Sequence, residues 1–255
     1  MNIDAIIREE RAREAEAHGG SAFAEHALKQ IEQRGHFTVG LLDPQSEDPV
    51  VTIHPLPSPR DEIMFHDHSC FELAFCYRGA CRHKLADYEI ALTGGDLLLM
   101  NPRAIHCLCT DSDGDVVFNF LCPIRLFDNT FLRLLPENAI SDFFMDYFYR
   151  TQAREDFLIV HADGELCALL ERLIVEYHEK RPGYETILRA GLVQVFVYMA
   201  RLYGEKLRDL PLQHTSRVVR GLMLYITQNA STVTLSDAAR ALSYNEKYKI
   251  GRAHV

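Results

Sequence analysis

Apolar positions along the chain follow three successive rhythms. Between residues 2 and 33, Ile3, Ile6 and Ile7, then Phe23, Ala27 and Ile31, fall three or four apart, which places them on one face of a helix. Gly19-Gly20-Ser21 interrupts that stretch, so two short helices are expected. Between 36 and 122 the rhythm shortens. The runs Val50 to Ile53, Phe71 to Tyr77, Ile90 to Leu92, Leu97 to Met100 and Val116 to Leu121 are separated by Pro, Gly and Asp clusters. That alternation predicts many short strands closing a sandwich or barrel. Pro55, Pro57 and Pro59 form a stiff connector, and Asp111-Ser112-Asp113-Gly114-Asp115 a tight turn.

From about residue 126 the period becomes helical. Leu166, Leu169, Leu170, Leu173, Ile174 and Tyr177 make an amphipathic stripe that Arg181-Pro182-Gly183 brings to an end. The next helix, about 185–203, is apolar nearly all round and is expected to stop at a left-handed cap on Gly204. A helix with so little polar surface is either wedged against the strands or shared with a second subunit. A homodimer through residues 126–213, with Val193 and Val197 in the contact, is the expectation. The fold class is α+β: an antiparallel barrel, then helices, with Asp209 to His214 as a linker.

Composition leaves this outline standing. The 255 residues are 47% hydrophobic and 25% charged, the balance of a globular protein large enough to bury a core. Seven cysteines, Cys70, Cys76, Cys81, Cys107, Cys109, Cys122 and Cys167, form no repeated CxxC pair. Reduced thiols in a cytoplasm fit better than a secreted disulfide framework. Met1 to Ala17 is too charged for a signal peptide. Ile187 to Tyr203 is broken by Arg189, Gln194 and Arg201, so no membrane span is expected. The net charge of −9 is unevenly spread. Residues 212–249 carry Arg217, Arg220, Arg240, Lys247 and Lys249 against Asp237 and Glu246, a local +3 that leaves −12 elsewhere. An acidic body with one basic segment suits a protein with one module facing nucleic acid.

Candidate chemistry concentrates at His66-Asp67-His68-Ser69-Cys70-Phe71-Glu72, with Gly79 beyond. On one strand, His66, His68 and Glu72 share a face, and Phe71, Leu73, Phe75 and Tyr77 take the other. Two imidazoles and a carboxylate on one interior can ligate a divalent metal, line an organic ligand, or form a hydrogen-bonded polar floor. Alternation alone does not decide whether His83, Cys70 and Cys76 join them. A second segment runs Gly95-Asp96, Leu97 to Met100, Pro102 and His106. Together the two resemble the paired motifs of the cupin fold, HxHxxxE with a later glycine and G…P…H. The second departs from the strict form, with Ala104 where a glycine is usual and the proline-to-histidine spacing one residue short. The resemblance implies that His66, His68, Glu72 and His106 are the ligand-binding residues. Sensor cupins often keep them without metal, so no cofactor is expected, with a divalent metal on the same four residues as the alternative.

Downstream, Thr234 is a suitable N-cap and Thr234-x-x-Asp237 a capping box. Leu235, Ala238, Ala239 and Leu242 form one helical face, and the alanine pair permits close helix approach. Ser243-Tyr244-Asn245 reads as a turn, and Glu246-Lys247-Tyr248 as the opening of a recognition helix. The pattern resembles the first helix-turn-helix of the AraC/XylS family of transcription regulators. It implies a sequence-specific DNA-binding regulator, not an enzyme, that answers a small-molecule effector and, in the full-length protein only, contacts DNA through Thr234, Ser236, Tyr244, Asn245, Glu246, Lys247 and Tyr248. The expected domains are a helical extension (1–35), a cupin-like sensor (36–125), a helical dimerisation region (126–213) and a truncated helix-turn-helix (214–249). Residues 250–255 read as a sequencing-adapter artefact. A metal-dependent cupin enzyme (oxygenase or isomerase) and a non-catalytic carbohydrate-binding cupin are the competing readings.

Overall fold

Alternation along Cys70–Arg78 (β4) sets the architecture. Phe71, Leu73 and Phe75 enter one buried apolar cluster, and Ala74 and Cys76 enter another. This strand therefore has two covered faces, one against a second sheet and one against helices. A computed structural model of the chain describes residues 2–17, 21–40, 42, 45–58, 60–85, 88–127, 139–149 and 156–206. The expected linker and helix-turn-helix, including every implied DNA contact from Thr234 to Tyr248, lie outside the described residues.

The other strands are Phe37–Val39 (β1), Val50–Ile53 (β2), His66–His68 (β3), Ala80–Leu85 (β5), Tyr88–Thr93 (β6), Asp96–Met100 (β7), His106–Cys109 (β8), Val116–Pro123 (β9) and Phe157–His161 (β10). They form two five-stranded sheets, β1-β3-β8-β5-β6 and β10-β7-β4-β9-β2. Every pairing is antiparallel except β1 with β3. The fold is α+β, as expected, and the strands make a two-sheet sandwich. Between the sheets lie Ala74, Cys76, Leu98, Met100 and Val117 from one and Cys81, Leu85, Ile90, Leu92 and Leu108 from the other. Gly79, at a left-handed φ of +78°, turns β4 into β5. The Asp115 carboxylate packs over it and accepts the N–H groups of Ala80, Asp111 and Ser112, which explains the turn expected at 111–115.

The described residues hold five helices, Ile3–Ala17 (α1), Ser21–Arg34 (α2), Ala139–Tyr149 (α3), Gly164–Glu179 (α4) and Tyr184–Lys206 (α5); α2 lies against β1 of the other sheet, and the rest cover the outer face of the β4 sheet. All but α2 contribute to one large core with β4. Ile3, Ile6 and Ile7 of α1 are buried in it, as their spacing predicts. The α4 stripe is buried as expected from Leu166 to Ile174. Its ends are both capped, by the Asp163 side chain accepting the Leu166 N–H and by Lys180 in the left-handed conformation.

Three expectations need correction. Residues 66–79 are two strands, broken at Ser69, and β3 belongs to one sheet while β4 belongs to the other. Region 126–213 is not wholly helical, because Leu158 and Val160 of β10 point inward and β10 pairs with β7. Gly204 is no cap, since α5 continues to Lys206. Much of the apolarity of α5 is used within the subunit: Leu188, Leu192, Val195, Phe196, Met199 and Ala200 are buried in the chain's own core, while Val193 and Val197 are half-buried against it and Ile187 is exposed. Gly191 makes that packing possible, because a Cβ there would collide with the Leu173 side chain on α4.

Candidate functional site

The sheet switch at Ser69 is what builds the site. His66 on β3 lies directly opposite His106 on β8 in register, with ring centroids 4.4 Å apart. Two residues later His68 ends β3, still paired with Val39 of β1, and Glu72 enters from the facing sheet, where it pairs in register with Met100 and Leu121. The four residues singled out by the two motifs therefore converge from three strands in two sheets. His68 Nε2 is 2.8 Å and His106 Nε2 3.3 Å from Glu72 Oε2. His68, Glu72 and His106 are buried, and His66 is half-buried at the edge.

The His68–Glu72 approach is short enough for a charge contact but too bent for a hydrogen bond: His68 Nε2 and Glu72 Oε2 both lack a directed partner. Tautomers explain the remaining contacts. His66 Nδ1 is 2.9 Å from the Met64 carbonyl oxygen, and His106 Nδ1 is 3.5 Å from that of Ala104. A carbonyl only accepts, so in each ring Nδ1 carries a hydrogen, and in the neutral ring Nε2 presents a lone pair. At His106 that lone pair faces a carboxylate oxygen, an acceptor against an acceptor. A proton, a cation or a ligand's donor must lie between them.

Electrostatics point the same way. Burial alone would raise the Glu72 carboxyl, but His68 and His106 outweigh it and hold it well below the carboxylate range. Burial would lower His68, yet the Glu72 carboxylate raises it, which favours an imidazolium beside the carboxylate. His66 is pushed down to about 3 by burial and by its neighbours His106 and His68. One charged His–Glu pair thus stands beside a neutral His66. Ring nitrogens of His66, His68 and His106 lie within 4.8 Å of one another. Imidazoles bind zinc at about 2.0–2.1 Å, so a modest side-chain adjustment would let all three reach one ion, and Glu72 stands ready as a fourth donor. The donor set fits a divalent cation.

Two further histidines border the cluster. His83 on β5 is fully buried, 5.8 Å ring to ring from His106, and His54 follows β2, its N–H donating to Val117. Alternation left His83 and Cys76 undecided, and the structure turns both inward. Burial pushes the nearby Cys70 thiol far up, so it is inert packing rather than a ligand. His54 gave no sequence cue, standing alone between a strand and the proline connector. Among the described residues no helix is long and apolar enough to cross a membrane.

A family model described as an AraC-like ligand binding domain matches residues 49–196, a span holding both sheets' site residues, α3, α4 and the first part of α5. Fatty-acid-bound ToxT from Vibrio cholerae strain SCE256 is 10% identical, covering 80% of this chain and 72% of its own, with a TM-score of 0.42. The AraC-like activator CuxR is 13% identical over 70% of this chain and 58% of its own (TM-score 0.34). Oxalate decarboxylase from Bacillus subtilis is 20% identical over 31% of this chain and 22% of its own (TM-score 0.27). No curated protein matches the chain.

Proposed function

Because the chain belongs to the AraC-like ligand-binding domain family, we propose that it is a transcription regulator governed by a small-molecule effector held between its two sheets. The observation that carries this reading is the set of buried polar atoms at His68 and Glu72 that point at one another without satisfying one another. Each buried polar atom left unpaired costs about 1–3 kcal/mol. A cluster of them supports a site that is completed by something bound. No step of chemistry follows binding in this reading. His66, His68, Glu72 and His106 hold the effector, and its arrival is felt by β4, whose other face anchors the helical layer.

A divalent cation is the second reading, favoured by the lone pairs of His66 and His106 and the nearby carboxylate. Such an ion would supply an electrophilic centre to which an oxygen-bearing effector could bind. Titration of the protein with Co2+ tests both readings through its visible spectrum and its effect on Tm. One equivalent bound, and lost in the double variant His66→Ala, His68→Ala with its circular dichroism unchanged, supports the cation. No spectrum leaves the organic effector alone. A double variant that unfolds makes the cluster a structural floor and removes both.

DNA reading is assigned to residues 215–248, motivated by their capping box, alanine pair and local positive balance. Selection from random duplex DNA by the full-length protein checks it. One recurrent sequence, bound more weakly as salt rises, supports regulation, and binding without sequence preference removes it.

A further inference from the structure

His83 has no role in the four-residue cluster, and its surroundings give it no structural one. It sits on β5 between Cys81 and Leu85, which point into the same interior, with Ile90 and Leu108 across from it on the neighbouring strands. It is 0% exposed, and neither of its ring nitrogens has a hydrogen-bond partner. His54 Nε2 is likewise buried and unpartnered. Native proteins rarely leave both nitrogens of a sealed imidazole unsatisfied, because a leucine in that place would cost nothing of the kind.

The chemistry of what would satisfy it is narrow. Burial and the neighbouring His106 hold His83 down to about 3, so the ring is neutral and offers one N–H donor and one bare nitrogen. A hydroxyl answers either, as acceptor to the first or donor to the second. A carboxylate answers only the first, and it would bring a second anion toward Glu72, which already acts on His83. On its own sheet the ring is flanked by the apolar side chains of Cys81, Leu85, Ile90 and Leu108, with His106 5.8 Å away on the side of the cluster, so the body that carries the hydroxyl is apolar where it meets that sheet.

We propose that His83 is the specificity-determining residue of the effector site, and that it selects a small apolar molecule bearing a neutral hydroxyl, an alcohol or a phenol. This rests on the reading of the interior as the effector site. It makes His83 a group kept for recognition at the expense of the empty protein's stability.

The test uses p-cresol and toluene, similar in shape and differing by one hydroxyl, on the wild type and on His83→Leu, with Tm as the readout. Ligand-free His83→Leu is expected to melt a few degrees higher than the wild type. The wild type should be stabilised more by p-cresol than by toluene, and the difference should vanish in His83→Leu. A lower Tm for ligand-free His83→Leu would show a structural histidine, satisfied by internal water, and overturn the proposal. Equal stabilisation of the wild type by the two probes overturns the hydroxyl preference while leaving the interior as a binding site. No stabilisation by either probe goes further and counts against the interior site itself.

Discussion

Phe71→Ala is expected to cost about 3–5 kcal/mol of stability, the range for emptying a fully buried aromatic site. Phe71 is 0% exposed, and its ring centroid lies 4.7 Å from that of Phe127 and 4.9 Å from those of Phe144 and Tyr147. Phe148 and Phe143 complete the ring of neighbours at 6.0 and 6.2 Å. Those partners stack on one another and on Phe196 of α5, so no single side chain is free to collapse into the void. The loss should appear as a lower denaturant midpoint with an unchanged slope. Phe71 is also the residue before Glu72, on the opposite face of the same strand. A loosened β4 should therefore weaken Co2+ or effector binding as well, although Phe71 touches neither. A midpoint shift worth less than about 1 kcal/mol would mean that α3 and α5 are not packed on this strand as described.

Acidification from pH 7 to pH 5 is expected to remove stability on a comparable scale. His66 and His83 are held down to about 3 and His54 to about 4, in each case chiefly by burial. An unfolded chain protonates these imidazoles near 6.5 while the folded one does not, so stability falls as pH drops below that value. A fully sealed histidine such as His83 contributes about 2 kcal/mol over these two units. His54 and His66 are only partly buried, and water discounts their share. The total is on the order of 4 kcal/mol.

The other two titrating groups do not mask this. His68 is raised, so its contribution is complete below 6.5 and is lost only as pH rises through its folded value. Glu72 is lowered, and its contribution persists until pH falls through a folded value well under 4.5. Between about 4.5 and 6.5 the buried neutral histidines set the slope. Urea midpoints at pH 7, 6 and 5 read it directly, and His83→Leu should flatten the profile. A flat wild-type profile would mean that these rings are hydrated or already protonated in the native state.

The sequence by itself determined the elements whose pattern is local and the residues of the cluster. Ile3, Ile6 and Ile7, the stripe from Leu166 to Ile174, and the alternation from Phe71 to Phe75 each report a face that must be buried, and each face is. The two motifs named His66, His68, Glu72 and His106 because residue type and spacing mark a donor set before any fold is known. Tertiary structure decided what local pattern leaves open. Residues 66–72 read as one strand because alternation continues across Ser69, but strand pairing is a long-range hydrogen-bonding choice, and it sends β3 and β4 to different sheets. Phe157–His161 is too short to announce itself and becomes a strand because the edge of β7 needed a partner. Gly204 stays helical because the buried face of α5 outweighs one residue's preference for a cap. His83 and His54 carry no motif, and only the closing of one sheet over the other could show that their nitrogens are sealed in without partners.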